Sequence, residues 1–176
     1  NIGWMAWAKD GEEAGTTGFG RSVEAVQIRL VKKGDAAPSS DGANVDYAFK
    51  KKPMSLTYRA HVSNVGWQGA VSDGATAGTT GRGLALEDLK LSIDSSDYSD
   101  GSAVQIDAHV SGIGWQGWDT PSASEGGTTG QGRAVEAVRL RLTGSLAKDY
   151  DVYYRVHASN IGWMAWAKDG EEAGTT

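Results

Sequence analysis

Apolar residues recur at every second position of Val135–Leu142, VEAVRLRL, where Val138, Leu140 and Leu142 share one face and Arg139 and Arg141 the other. A period of two puts successive side chains on opposite faces of a half-buried strand. The alternation returns in Asp151–Ser159, with Tyr154, Val156 and Ala158 in phase. It occurs earlier at Leu89, Leu91 and Ile93, followed by Val104, Ile106, Ala108 and Val110. It occurs first at Val26, Ile28 and Leu30, followed by Leu56, Tyr58, Ala60 and Val62. β-branched and aromatic residues dominate these stretches and polar loops separate them, which predicts strands rather than helices. No stretch combines helical periodicity with caps, so the chain is predicted to be nearly all β.

A second kind of segment separates the strand pairs. Asn1–Thr17, NIGWMAWAKDGEEAGTT, is repeated without change as Asn160–Thr176, and diverged relatives begin at Asn64 and Gly112. Each reads as a tight hairpin, because Asp10-Gly11, Asp73-Gly74 and Asp169-Gly170 supply the positive φ that such turns need. The third copy has Asp119-Thr120-Pro121 instead and one extra residue, so its turn is expected to differ. Trp67, Trp115 and Trp163 recur every 48 residues, as do His61, His109 and His157, whereas Trp4 precedes Trp67 by 63. The extra residues fall between Leu30 and Leu56, in a Gly/Pro/Ser/Lys-rich segment that reads as a surface loop or added hairpin.

The organisation expected from this period is a three-repeat β domain over 1–159, with repeats 1–63, 64–111 and 112–159, and a fourth repeat beginning at 160–176. Two strands and a hairpin, three times over, fit a pseudo-threefold, β-trefoil-like body. A three-sheet β-prism or an open β-repeat stack would give the same pattern. Closure is favoured because it removes exposed sheet edges. The fourth Trp module exceeds what a closed threefold body needs, and it points to possible head-to-tail self-association through the duplicated end.

Composition narrows the function. The net charge is −5 and the lysine clusters, Lys32-Lys33 and Lys50-Lys51-Lys52, are short, so nucleic acid is not an expected partner. There is no cysteine, which removes disulfides, thiolate catalysis and Cys-ligated zinc. No apolar run approaches the roughly 20 residues of a membrane span, so membrane insertion is not expected. The chain starts without Met and stops within a repeat, which reads as a fragment of something longer.

The stretch GWMAWAKDGEEAGTTGFGRSVEAVQIRL, from Gly3 to Leu30, resembles the clostridial hydrophobic repeat with its conserved Trp (the ChW repeat). Gly-Trp, a second Trp, Asp-Gly, Gly-Thr-Thr-Gly, Glu-Ala and alternating aliphatics are matched by three units and the terminal fragment. The resemblance covers nearly the whole chain. It implies a secreted or surface-attached protein of clostridia or other Firmicutes, in the company of adhesion or glycan-active domains. Two departures stand out: Ala70 replaces the second Trp in the second unit, and the third unit lacks Asp-Gly.

Within the repeat, Trp4, Trp67, Trp115 and Trp163 occur in every copy and read as core anchors. Trp7, Trp118 and Trp166 are absent from one copy, so the fold tolerates their loss; with Asp10 and Asp169 they are the candidates for ligand contact. Glu24, Glu87 and Glu136 share strand phase with the aliphatics after them and read as structural acceptors for backbone or indole N–H groups. His61, His109 and His157 are out of phase with the apolar positions and diverge on an outer face, so no metal site is expected. The Gly15–Gly18, Gly78–Gly81 and Gly127–Gly130 runs lack the Lys-Ser/Thr of a phosphate loop. Asp94–Asp100 reads as an acidic loop.

No nucleophile–base order or paired carboxylates stand out, and repetition gives several similar shallow sites rather than one asymmetric pocket, so no enzyme and no cofactor are expected. The expected function is a non-catalytic binding or adhesion module that recognises a glycan, or a host or cell-wall surface ligand, through its Trp hairpins. The alternatives are a self-assembling tandem-repeat spacer and a binder of a host protein such as an immunoglobulin.

Overall fold

The computed structural model describes residues 2–98, 100–120 and 123–176. Asn1, Ser99, Ser122 and Pro121, the last belonging to the divergent third turn, lie outside the described residues. The chain forms two compact units, Asn1–Pro53 and Met54–Thr176, and the division falls within the long first repeat.

In the first unit, β1 (Gly15–Thr17) pairs in parallel with β2 (Phe49–Lys51), Thr16 lying opposite Lys50. The inserted segment lies beside the Trp hairpin: Asn44 N–H donates to Trp4 O at 2.6 Å and Ala6 N–H to Tyr47 O at 3.2 Å. The strand expected at Val26, Ile28 and Leu30 does not form, and these side chains are 74%, 86% and 98% exposed. An alternating segment gains its ladder and its burial only from a partner. The one strand within residues 2–22 is the three-residue β1.

The second unit supplies such partners. β3 (Leu56–Val62) turns into the short return strands β4 (Gly66–Trp67) and β5 (Val71–Ser72), and β6 (Leu86–Ile93) lies on its other edge. Counted from one long strand to the next, β3–β6 form the second structural repeat, although Leu56–Val62 ends the first sequence repeat. The third has the same plan: β7 (Val104–Val110), return strand β8 (Gly114–Trp115), short β9 (Glu125–Gly127) and long β10 (Val135–Leu142), the fourth opening at Tyr153. The loop expected after β10 holds a single helical turn, α1 (Leu146–Asp149), whose Leu146 is fully buried. Asp100, the end of the acidic loop, accepts the Ser145 N–H at 2.7 Å there. Hydrogen bonds from Ser102 and Ser145 hold its carboxyl well below the usual range. The last long segment is interrupted as β11 (Tyr153–Tyr154) and β12 (His157–Ala158). Return strands β13 (Gly162–Trp163) and β14 (Ala167–Lys168) follow, then β15 (Ala173–Gly174).

The strand orders are β4-β3-β6-β9, with β5 also on β3, and β8-β7-β10-β15. Thus β9 of the third repeat completes the sheet of the second, and β15 of the fourth completes the sheet of the third. The two-stranded pairs β11-β14 and β12-β13 stand apart. The protein is nearly all β and built of repeats. Among the described residues the ladders form separate sheets, not the six-stranded barrel of a trefoil. The aliphatics that set the period form the core: Val104, Ile106, Ala108 and Val110 of β7 pack with Val138, Leu140 and Leu142 of β10, Leu91 of β6 and Tyr154 of β11. Faces of β3, β6, β10, β11 and β12 also line a cavity of about 650 Å³.

Glycine makes the handover between repeats possible. Gly127 has φ +135°, and a Cβ there would lie 2.4 Å from Glu87 O. Gly174 repeats this against Glu136 O at 2.3 Å. By contrast Gly130, φ +69°, faces open space. Gly127→Ala should destabilise the fold by about 2–4 kcal/mol in urea titrations, against about 1–2 kcal/mol for Gly130→Ala. Equal costs would show that the close approach of β9 to β6 contributes nothing.

Candidate functional site

In the last three modules the return strand brings the first Trp directly across from a histidine. His61 lies opposite Trp67, His109 opposite Trp115 and His157 opposite Trp163. All three pairs meet edge to face with ring centroids 5.4 Å apart. A guanidinium then covers the indole. Arg59 lies 4.7 Å from the Trp67 centroid, Arg139 3.9 Å from Trp115, and Arg155 4.8 Å from Trp163. Such stacks contribute about 0.5–1 kcal/mol each at exposed sites. In the middle copy Asp107 occupies the position of Arg59 and Arg155, and the cation comes instead from Arg139, directly opposite on β10. Asp107 and Glu172 pair with that Arg139.

These Trp rings are not core anchors. Trp67, Trp115 and Trp163 lie on the outer face of the sheets, the first two half-buried and the third 45% exposed, and Trp4 in the first unit is likewise 45% exposed. The sequence placed them inside because the ring is large and follows a Gly. The turn instead fixes the ring against the polar face that already carries His and Arg.

The second Trp continues the same outer face. Trp118 lies under Arg141 at 4.1 Å, and Trp166 under Arg155 at 4.6 Å, so Arg155 is shared between Trp163 and Trp166. Trp166 is 54% exposed and Trp118 half-buried. Trp7 is half-buried and donates its Nε1–H to Ser39 O at 3.0 Å. The Asp candidates separate. Asp10 is exposed at φ +46°. Asp169 is committed to the backbone, accepting the Val152 N–H at 2.9 Å, as Asp73 accepts that of Leu56 at 3.0 Å. In the third repeat Asp119 accepts the N–H of Ile106, two residues further along the long strand than its counterparts.

The glutamates follow a different logic from the one their phase suggested. In both long-strand ladders the register shifts at Glu87 and Glu136, so two residues oppose one. Such a bulge re-aims a side chain. Here it turns the carboxylate away from the aliphatic face, to 3.0 Å from His61 Nδ1 for Glu87 and 3.1 Å from His109 Nδ1 for Glu136. The group beside each carboxylate is an imidazole, hydrogen-bonded to Glu136 and at ion-pair distance only from Glu87. Glu24 is exposed in its strandless segment. Sequence reasoning missed Arg59, Arg139, Arg141 and Arg155. Their signal was present, since each alternates with aliphatics on the face that carries the His. Among the described residues no three His, Asp or Glu are grouped as a metal site, and no helix is long and apolar enough to cross a membrane.

The assembly is a tandem β-repeat protein whose outer face carries ladders of Glu, His, Trp and Arg. The sequence profile of Clostridial hydrophobic W (ChW) matches residues 1–32, 61–94, 109–144 and 157–176, and the chain belongs to that family. No curated protein and no solved structure matches the chain.

Next to the first ladder, Asp88 is 4% exposed and its Oδ1 accepts no hydrogen bond. Burial, reinforced by the Glu125 carboxylate, pushes its pKa up to about 6. The folded state therefore holds a proton that the unfolded chain has released, and stability falls as pH rises from about 4 through about 6. Asp88→Asn removes this ionisation. Its thermal midpoint should exceed that of the parent at pH 7.5, and the gain should shrink at pH 4.5. A pH-independent difference would show that Asp88 does not titrate in this window.

Proposed function

We propose that the chain is a non-catalytic binding module of a secreted or cell-surface bacterial protein, and that it engages a glycan through the outer Trp–Arg ladders. The observation that carries this reading is Trp166, a large ring 54% exposed and held beside Arg155 and Trp163. An indole presents a flat apolar face to the C–H side of a sugar ring, and a guanidinium donates to its hydroxyls or carboxylate. The ring is pre-set by its Arg stack, so little side-chain entropy is lost on binding. Trp118 under Arg141 offers a second, more covered platform, and Trp7 with the exposed Asp10 a third. Several shallow sites on one chain gain avidity by linkage. Repetition of one platform along the chain favours binding over catalysis.

Of the closed arrangements, the three-sheet prism has the better support, because faces of successive sheets line one common cavity.

Trp166→Ala should lower retention on a glycan array about tenfold, and Arg155→Ala by less. The fold should survive the first change, because the second repeat already has Ala70 at the equivalent position. Binding that Trp166→Ala and Trp118→Ala leave unchanged would overturn the site. Binding to host glycoprotein that survives deglycosylation would favour a protein ligand instead.

A further inference from the structure

We infer that the segment Val23–Leu30 of one copy is the missing strand of another, adding to the free edge of β11 and β12, filling the cavity beside it and placing Glu24 on His157. The added strand would adjoin the Trp163–Trp166 platform, whose rings also line the cavity, but the inference rests on the strand edge and does not require a glycan ligand.

The first observation is an edge. In the second and third repeats the long strand has neighbours on both sides: the return strands on one, and β6 or β10 on the other. In the fourth, Tyr153–Ala158 pairs only with β13 and β14. Its other edge carries no strand among the described residues. An open edge is a template for a further strand.

The second is a strand without an edge. Val23–Leu30 reads VEAVQIRL against VEAVRLRL in β10, identical at six of eight positions. Val138, Leu140 and Leu142 of β10 are 3%, 5% and 9% exposed, whereas their counterparts Val26, Ile28 and Leu30 are 74%, 86% and 98% exposed. The same alternation is thus buried in one copy and in solvent in the other, and the difference is the partner.

The third is a space. The cavity is lined by Leu89 and Leu91 of β6, Val138 and Leu140 of β10, and Tyr154 and Val156 beside the open edge. Apolar side chains entering from that edge would meet apolar walls on both neighbouring sheets, and burial of this kind drives association.

The fourth observation fixes the register. His61 and His109 each receive a carboxylate from the bulge of the added strand, Glu87 at 3.0 Å and Glu136 at 3.1 Å. No carboxylate reaches His157 among the described residues, and His157 is exposed where its two counterparts are half-buried. Transferring the β7–β10 register sets Val26 opposite Val156, Ile28 opposite Tyr154 and Leu30 opposite Val152. Glu24 then occupies the bulge and meets His157. The residue types thus agree at the edge, in the cavity and at the histidine.

Because donor and acceptor are different surfaces, each copy can give and receive, and the contact is heterologous. Strand addition of this kind is an established mode of association. The occupant is a second copy of this chain, recognised by its ladder, its aliphatics and one carboxylate.

Sedimentation velocity of the full chain at rising concentration tests this. The parent should form larger species as concentration rises. Ile28→Lys, which alters a side chain in solvent in the isolated chain and so leaves the fold intact, should stay monomeric. A synthetic peptide of residues 18–30 should bind the Ile28→Lys chain one to one and dissolve the oligomers of the parent. Glu24→Gln should weaken association about tenfold, and the His157 ring resonances of the Ile28→Lys chain should move when the peptide binds. A parent that remains monomeric at every concentration, or an Ile28→Lys variant that assembles as the parent does, would overturn the proposal.

Discussion

The antiparallel ladder between two long strands of one repeat is the interaction on which the rest depends. β3 with β6, and β7 with β10, each align one aliphatic face inward and one charged face outward. A one-residue slip would exchange the two faces, so the register is strongly specified where one side is buried. The return strand then has a single edge on which to lie, which brings Trp across from His. The bulge at Glu87 or Glu136 brings the carboxylate to the same imidazole. Inner core and outer ladder are therefore set by one alignment.

The first unit is informative because it has one of these strands without the other. Val23–Leu30 keeps the pattern almost unchanged and is not a strand. Alternation specifies which face would be buried, but burial is supplied by a neighbour. The inserted segment gives the Trp hairpin a different companion, through Asn44 and Tyr47, without giving Val23–Leu30 one.

Much of the fold was legible in the sequence. The period, the β class and the core aliphatics Val104, Ile106, Val138 and Leu140 all follow from alternation and turn chemistry. The outer ladder was only half legible. Trp and His recur visibly, yet their meeting depends on a cross-strand register that no local pattern specifies. Glu87 and Glu136 were misread because a bulge breaks the phase that alternation assumes. Trp163 was placed inside because its ring is large and follows a Gly, although Arg155, which covers it, sits in plain alternation nearby. The destination of β9 and β15 was illegible: a strand of two or three residues has too little pattern to name the sheet it joins.

That crossing over of β9 and β15 gives the chain the grammar of overlapping roof tiles. The sequence period and the hydrogen-bonded sheet are out of step, so each tile is held down by the edge of the next. Such an array can lengthen or shorten by whole periods through genetic recombination and keep every ladder intact, whereas a cut at the apparent repeat border strips the last strand from the sheet before it. Melting should accordingly spread between neighbours, as in other quasi-one-dimensional chains, and the cooperativity of the array is written into strands of two and three residues.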